Sequence, residues 1–112
     1  METKARMLSE QTIREAVERL VTAARPSKII LFGSFARGDP DEGSDLDLLV
    51  IEPELVDRYE EMIRLRDAIG PIGTGVDVLV YSEEEAERRG RVPGTVVYWA
   101  LKEGRVIYDA AS

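Results

Sequence analysis

Three aspartates and a glycine-serine pair are the residues of this chain whose types and spacing could do chemistry. Gly33 and Ser34 directly follow the apolar run Ile29 to Phe32, and ten residues after Ser34 come Asp45 and Asp47, at the mouth of a second apolar run ending at Ile51. Residues two apart in a strand point the same way, so Asp45 and Asp47 project together while Leu46 and Leu48 face the other side. A carboxylate inside so apolar a run is costly to bury without a cation or strong hydrogen bonds, and two side by side repel each other. A bound divalent metal would resolve both problems. Asp77 sits within a third apolar run, VDVLVY, just as Asp47 does in its own. If the two strands are neighbours, their aspartates meet on one sheet face. Three such groups can hold two magnesium ions about 3.5 to 4 Å apart, aligning an attacking oxygen and stabilising a leaving pyrophosphate.

The glycine-serine end supplies the other half. Glycine lets the backbone approach a phosphate closely, and amides that open a helical turn form an anion site that a serine hydroxyl can complete. Arg37, on the same turn, could neutralise a phosphate oxygen or, equally, pair with Asp39 or Glu42. Carboxylates for metal beside a serine-amide cradle for phosphate make a nucleoside triphosphate the natural ligand. Taken singly, Asp45 could be a residue of the turn that precedes a strand, and Gly33-Ser34 a tight turn or helix cap. Asp47 and Asp77 resist that reading, since aspartate is disfavoured within strands.

Composition limits the alternatives. The 112 residues suit one domain, 1–112, with one core. With no cysteine and no histidine, any metal must be held by oxygens, which favours magnesium, manganese or calcium. The net charge of -7 argues against sequence-independent binding to nucleic acid. A basic or apolar protein partner suits it better. No apolar run reaches the length of a membrane span, and METKARMLSEQ lacks the apolar centre of a signal peptide, so a cytoplasmic location is expected.

A series of apolar patterns must position these groups. Residues 9 to 25 read as an amphipathic helix capped by Ser9, with Leu8 stapled on Ile13 and Pro26 as its stop. Lys28 to Phe32 is a short buried strand, Ser34 to Arg37 one helical turn, and Asp45 to Ile51 the second strand. Residues 54 to 69 form a second amphipathic helix, whose expected inward side is Leu55, Tyr59, Met62, Ile63 and Ile69. In the third strand, Val76 to Tyr81, the valines share one face and Asp77, Leu79 and Tyr81 the other. Ser82 then caps the acidic helix EEEAERR, a solvated face, and TVVYWALKEG is a short helix ended by Gly104. Tyr98 and Trp99 read first as packing residues, but adjacent helix positions cannot both face inward fully, which leaves room for one to reach the surface and mark a partner site. RVIYD reads as a last edge strand.

The compound motif of Gly33-Ser34, ten residues, then Asp45-Leu46-Asp47 resembles the signature of the DNA polymerase β nucleotidyltransferase superfamily, and the short chain is similar to its minimal nucleotidyltransferases. The resemblance covers nearly the whole chain, through LKEGRVIYD. It implies an α/β (α+β) fold, a small mixed sheet flanked by helices. It also implies Asp45 and Asp47 as magnesium ligands, Asp77 as third ligand and base, and Ser34 with the Gly33 amide on the triphosphate. Many such proteins are antitoxins paired with a HEPN-domain toxin ribonuclease, and some transfer AMP from ATP onto a tyrosine of that toxin. Phe35 departs from the pattern, standing where a second basic residue is common.

The expected activity is therefore magnesium-dependent transfer of AMP from ATP to a protein hydroxyl, with the acceptor or a second subunit completing the cleft. The rival expectation is a binding module that neutralises a partner ribonuclease by occlusion and keeps its nucleotide site as a relic. Transfer to a small molecule such as an aminoglycoside would call for an additional substrate-binding domain.

Overall fold

A computed structural model describes residues 9–40 and 43–112. The element order is α1 (Glu10–Ala24), β1 (Lys28–Phe32), α2 (Ser34–Arg37), β2 (Leu46–Glu52), α3 (Arg58–Ile69), β3 (Val76–Ser82), α4 (Glu83–Arg89), α5 (Val96–Glu103) and β4 (Arg105–Asp109). The strands form one mixed sheet in the order β3-β2-β1-β4. β1 runs antiparallel to both β2 and β4, while β2 and β3 are parallel, joined by the crossover through α3. RVIYD is an edge strand, as its position at the end of the chain's apolar pattern suggests. No helix among the described residues is long and apolar enough to cross a membrane.

Strand alternation divides the core in two. Ile29, Leu31, Leu46, Leu48, Val50, Val78 and Val80 point to one face and bury against Ala16, Val17 and Leu20 of α1 and Leu65 and Ile69 of α3. Ile30, Leu49 and Ile51 point to the other, beneath Ala86 of α4 and Val97 and Ala100 of α5. Each fully buried leucine or isoleucine contributes about 1.5 to 3 kcal/mol. The sheet is thus covered on both faces, which is why β2 reads as a nearly continuous apolar run.

Helix ends follow local chemistry. Ser9 accepts from the Thr12 amide at 3.0 Å, and Asp57 and Thr95 cap α3 and α5 in the same manner. Ser82 and Glu85 form a reciprocal capping box at the start of α4. Arg19 donates to the Ile69 carbonyl at 2.6 Å and Arg64 to the Ala23 carbonyl at 2.9 Å, tying α1 to α3. The expected Leu8 staple and the Arg37 pairing with Glu42 lie outside the described residues.

Two expectations on elements need correction. The second helix starts at Arg58 rather than residue 54, because Asp57, not an earlier residue, captures the first free amide. Its inward side is also different: Leu65 and Ile69 are buried, Leu55 and Met62 pack at the core's margin, and Tyr59 and Ile63 are 77% and 54% exposed. The helix crosses the sheet on a narrower stripe than apolar content suggests. At the other end of the chain, Trp99 is 46% exposed and Tyr98 half-buried beside it, ring centroids 5.2 Å apart, so Trp99 is the one that reaches the surface.

Candidate active site

The register of β2 on β3 decides where the carboxylates meet. Asp47 stands directly opposite Asp77 in the parallel ladder, and on the other side it faces Phe32, the last residue of β1. Neighbouring strands lie about 4.8 Å apart, so two side chains on the same face at one rung are in contact range. Both point to the face shared with Leu49 and Leu79. Asp47 is half-buried and Asp77 exposed, so the pair opens to solvent on one side.

Asp45 comes just before the first residue of β2, outside the strand in which the sequence places it. Its backbone is nevertheless fixed. Leu46 donates to the Gly75 carbonyl at 2.9 Å, and the Thr74 hydroxyl donates to the Ser44 carbonyl at 2.9 Å. These two bonds fasten the segment leading to Asp45 and Asp47 to the segment leading to Asp77. Asp45 lays its carboxylate in the hollow left by Gly75: a Cβ there would lie 3.0 Å from Asp45 Cγ and collide with Oδ1. Nothing local in the sequence singles out Gly75 for this role, because the carboxylate it makes room for comes from a distant segment.

Gly33 closes the other flank. Its φ of +78° is a conformation that favours glycine, and a Cβ on it would lie 3.2 Å from Asp47 Cγ and collide with Oδ2. The chain therefore passes immediately over the Asp47 carboxylate before turning into α2. Ser34 is the first residue of that turn, and the Gly33 carbonyl accepts from Ala36 and Arg37, both at 3.1 Å. Phe35 and Ala36 pack against the α1/α3 side of the core, so Phe35 anchors the turn where a basic residue would have faced outward. Arg37 lies 3.5 Å from Asp39, with both side chains largely exposed, and it also acts on Asp47 through space.

Electrostatics mark Asp47 as the strained member. Burial, then the charge and hydrogen bond of Asp77, then the charge of Asp45 raise its carboxyl from 3.8 to about 6, with only Arg37 opposing. Among the described residues, no three acidic groups already sit close enough to hold an ion together. The arrangement is a contacting pair, Asp47 and Asp77, with Asp45 turned aside toward Gly75. Such an all-oxygen donor set fits a hard divalent cation, whose charge would relieve the repulsion that raises Asp47.

Comparison with known proteins gives the family. The model of the nucleotidyltransferase domain family matches residues 10–109. The Methanocaldococcus jannaschii protein MJ0604, named provisionally as a protein adenylyltransferase, is 33% identical over 109 residues, covering 91% of this chain and all of that one. A second protein of that organism, MJ0141, carries the same provisional name and is 57% identical over 28 residues, a quarter of this chain. Among solved structures, a Sulfolobus solfataricus protein named provisionally as a nucleotidyltransferase aligns with a TM-score of 0.56 and 27% identity, covering 88% of this chain and 86% of that one. A toxin-antitoxin complex solved with AMP-PNP shares the fold, with a TM-score of 0.59 at 22% identity over 86% of this chain and 72% of that one. With the family model spanning nearly every described element, this chain belongs to the nucleotidyltransferase domain family.

Proposed function

We propose that this chain, as a single domain working in the cytoplasm, transfers AMP from ATP to a hydroxyl of a protein partner. By its resemblance to minimal nucleotidyltransferases, the partner is a HEPN-type toxin, the acceptor a tyrosine, and this chain the antitoxin. The observation that carries the reading is the Asp47–Asp77 pair, set in register beneath Gly33, with Asp47 held near 6 by burial and by its acidic neighbours. The relative named for protein adenylyl transfer, covered over its full length, supports the choice of a protein acceptor.

In this mechanism Asp45, Asp47 and Asp77 would hold magnesium. Magnesium, two ions by the resemblance, would supply positive charge to the α-phosphate and to the leaving pyrophosphate. Ser34 and the Gly33 amide bind the triphosphate, and Arg37, whose side chain is largely exposed beside Asp39, swings onto a phosphate oxygen. The acceptor oxygen attacks the α-phosphorus, the bond to pyrophosphate breaks, and the hydroxyl proton passes to the Asp77 carboxylate. Because Asp77 is exposed, the acceptor itself must cover it and exclude water.

Incubation with labelled ATP, magnesium and the co-encoded partner should label the partner with wild type and not with Asp47→Ala. Equal labelling by the two would reject the assignment. The occlusion reading draws on the exposed apolar side chains of α3 and α5, which suit a cover. Protection of cells by the variant lacking all three carboxylates, Asp45→Ala, Asp47→Ala and Asp77→Ala, would favour it.

A further inference from the structure

The side chains that α3 fails to bury lie beside an acidic cleft on the far side of the sheet from the aspartates. The cleft has a volume of about 690 Å³, and its walls include Glu54, Val56, Asp57, Glu60, Ile63 and Asp67. Val56 is fully exposed, and Tyr59 sits one helical turn before Ile63 on the same helix face, so an apolar ridge borders the acids. Glu52, the last residue of β2, also lines this cleft, yet it is only 7% exposed and its Oε2 has no hydrogen-bond partner. Of its neighbours on α3, Glu61 shares a hydrogen bond with the Glu52 carboxyl and also pairs with Arg64, which leaves Oε2 itself unsatisfied. A buried carboxyl oxygen left unsatisfied is costly, and native structures rarely leave one without a reason.

We propose that this cleft is a docking site for a helical segment of a protein partner that presents an arginine between aliphatic side chains. The guanidinium would satisfy Glu52 and the surrounding acids, and the aliphatic side chains would cover Val56, Tyr59 and Ile63. Charge selects this occupant: five other acidic residues line the cleft against the single Arg64, so an acidic or neutral helix would leave them uncompensated. Glu52 lies five residues along β2 from Asp47, about 17 Å, and on the opposite sheet face, so docking here leaves the aspartates free. The inference rests on the reading of this chain as one that acts on a protein partner, and it gives that partner an anchoring surface separate from the reacting groups.

Glu52 adds a pH signature. Burial and Glu61 raise its carboxyl from 4.5 to about 8, with Arg64 opposing, so the free protein holds it neutral near pH 7. Pairing with a guanidinium requires the ionised form and releases the proton. The charged groups facing it across the cleft are Glu61 and Arg64, with Glu54, Asp57, Glu60 and Asp67 farther out. Affinity for the cationic segment therefore rises between pH 6 and pH 8.

The probe is an amidated amphipathic helical peptide of about 15 residues with one central arginine on a leucine face, compared with the same peptide carrying citrulline. Its binding is followed by amide chemical-shift changes in the full chain. The arginine peptide should shift resonances at Glu52, Val56, Tyr59 and Ile63 and bind about tenfold more tightly than the citrulline form. Glu52→Gln should remove that preference and its pH dependence. Ile63→Ser, at an exposed site that does not threaten folding, should weaken binding about tenfold. Equal affinity for both peptides, wild-type binding by both variants, or shifts centred on Trp99 would overturn the proposal. So would a doubled mass of the free chain that Ile63→Ser abolishes, which would make a second copy the occupant. Asp77→Asn should abolish nucleotidyl transfer while leaving peptide binding intact, so that either reading can fail without the other.

Discussion

Replacing Asp77 by asparagine should stabilise the metal-free protein while destroying its activity. Asp47 faces Asp77 across one rung of the β2–β3 ladder, and its carboxyl stands at about 6 instead of 3.8. A carboxyl raised in the folded state makes folding take up protons, so stability is fully present below pH 3.8 and is lost as pH rises through about 6. The whole shift corresponds to about 3 kcal/mol. Burial is its largest cause and survives the substitution, and solvent screens part of the remainder, so the Asp77 share is about 1 to 1.5 kcal/mol. For a chain of this size that is about 4 to 8 °C in melting temperature. The assay is thermal or urea unfolding in EDTA at pH 4 and pH 7.5. Asp77→Asn should match wild type at pH 4 and exceed it by that margin at pH 7.5. Magnesium with ATP should then reverse the order, since a ligand at 100 times its dissociation constant adds about 2.7 kcal/mol to wild type alone. A variant no more stable than wild type at pH 7.5 in EDTA would refute the repelling pair, and with it the argument that the site is built for a cation.

Gly75→Ala tests the seat of Asp45. The backbone there tolerates alanine, but the new Cβ strikes the Asp45 carboxylate. The melting temperature in EDTA should change little, the transfer rate should fall about 10- to 100-fold, and in an Asp45→Ala background the same change should have no further effect. Additive losses would show that Gly75 acts through something else. Glu52→Gln should remove the cost of a carboxyl raised from 4.5 to about 8. Stability of wild type is lost as pH climbs through that window, so the variant should equal it near pH 4 and exceed it near pH 8.5 by on the order of 2 kcal/mol, after allowance for the lowered carboxyl of Glu61. Parallel stability-pH curves for the two proteins would discount the buried charge.

Much of the site was legible because its signals are local and conflict with their surroundings. An aspartate in an apolar strand is expensive wherever the strand lies, so Asp47 and Asp77 announce themselves one by one, and period-two alternation places them on the face opposite Val78 and Val80. Gly33 was legible for the same reason, since a glycine after a buried strand points to a turn that no other residue makes easily. That β2 and β3 are adjacent could only be assumed, because the pairing depends on contacts between distant segments. The seat of Asp45 was hidden for a different cause: Gly75 has no unusual backbone conformation, and its need to be glycine comes from a side chain 30 residues away in sequence.

The misreading of α3 has the most consequence for function. Spacing of three and four residues identifies an apolar stripe, but it cannot say how much of that stripe the sheet will cover, which is set by the crossing of the helix over β2 and β3. Here Leu65 and Ile69 take the core positions, Arg19 and Arg64 lock the helix to α1, and Tyr59 and Ile63 are left facing solvent. Those two residues could have been polar at no cost to the core. Their apolar character, beside a carboxyl buried without a full set of partners, therefore belongs to a surface the isolated chain does not complete. On the proposed reading, the aspartates and α3 place two binding surfaces on opposite faces of one sheet, the first for a cation and nucleotide, the second for a basic apolar segment. A partner large enough to supply an acceptor hydroxyl to Asp77 while anchored at Glu52 would complete both.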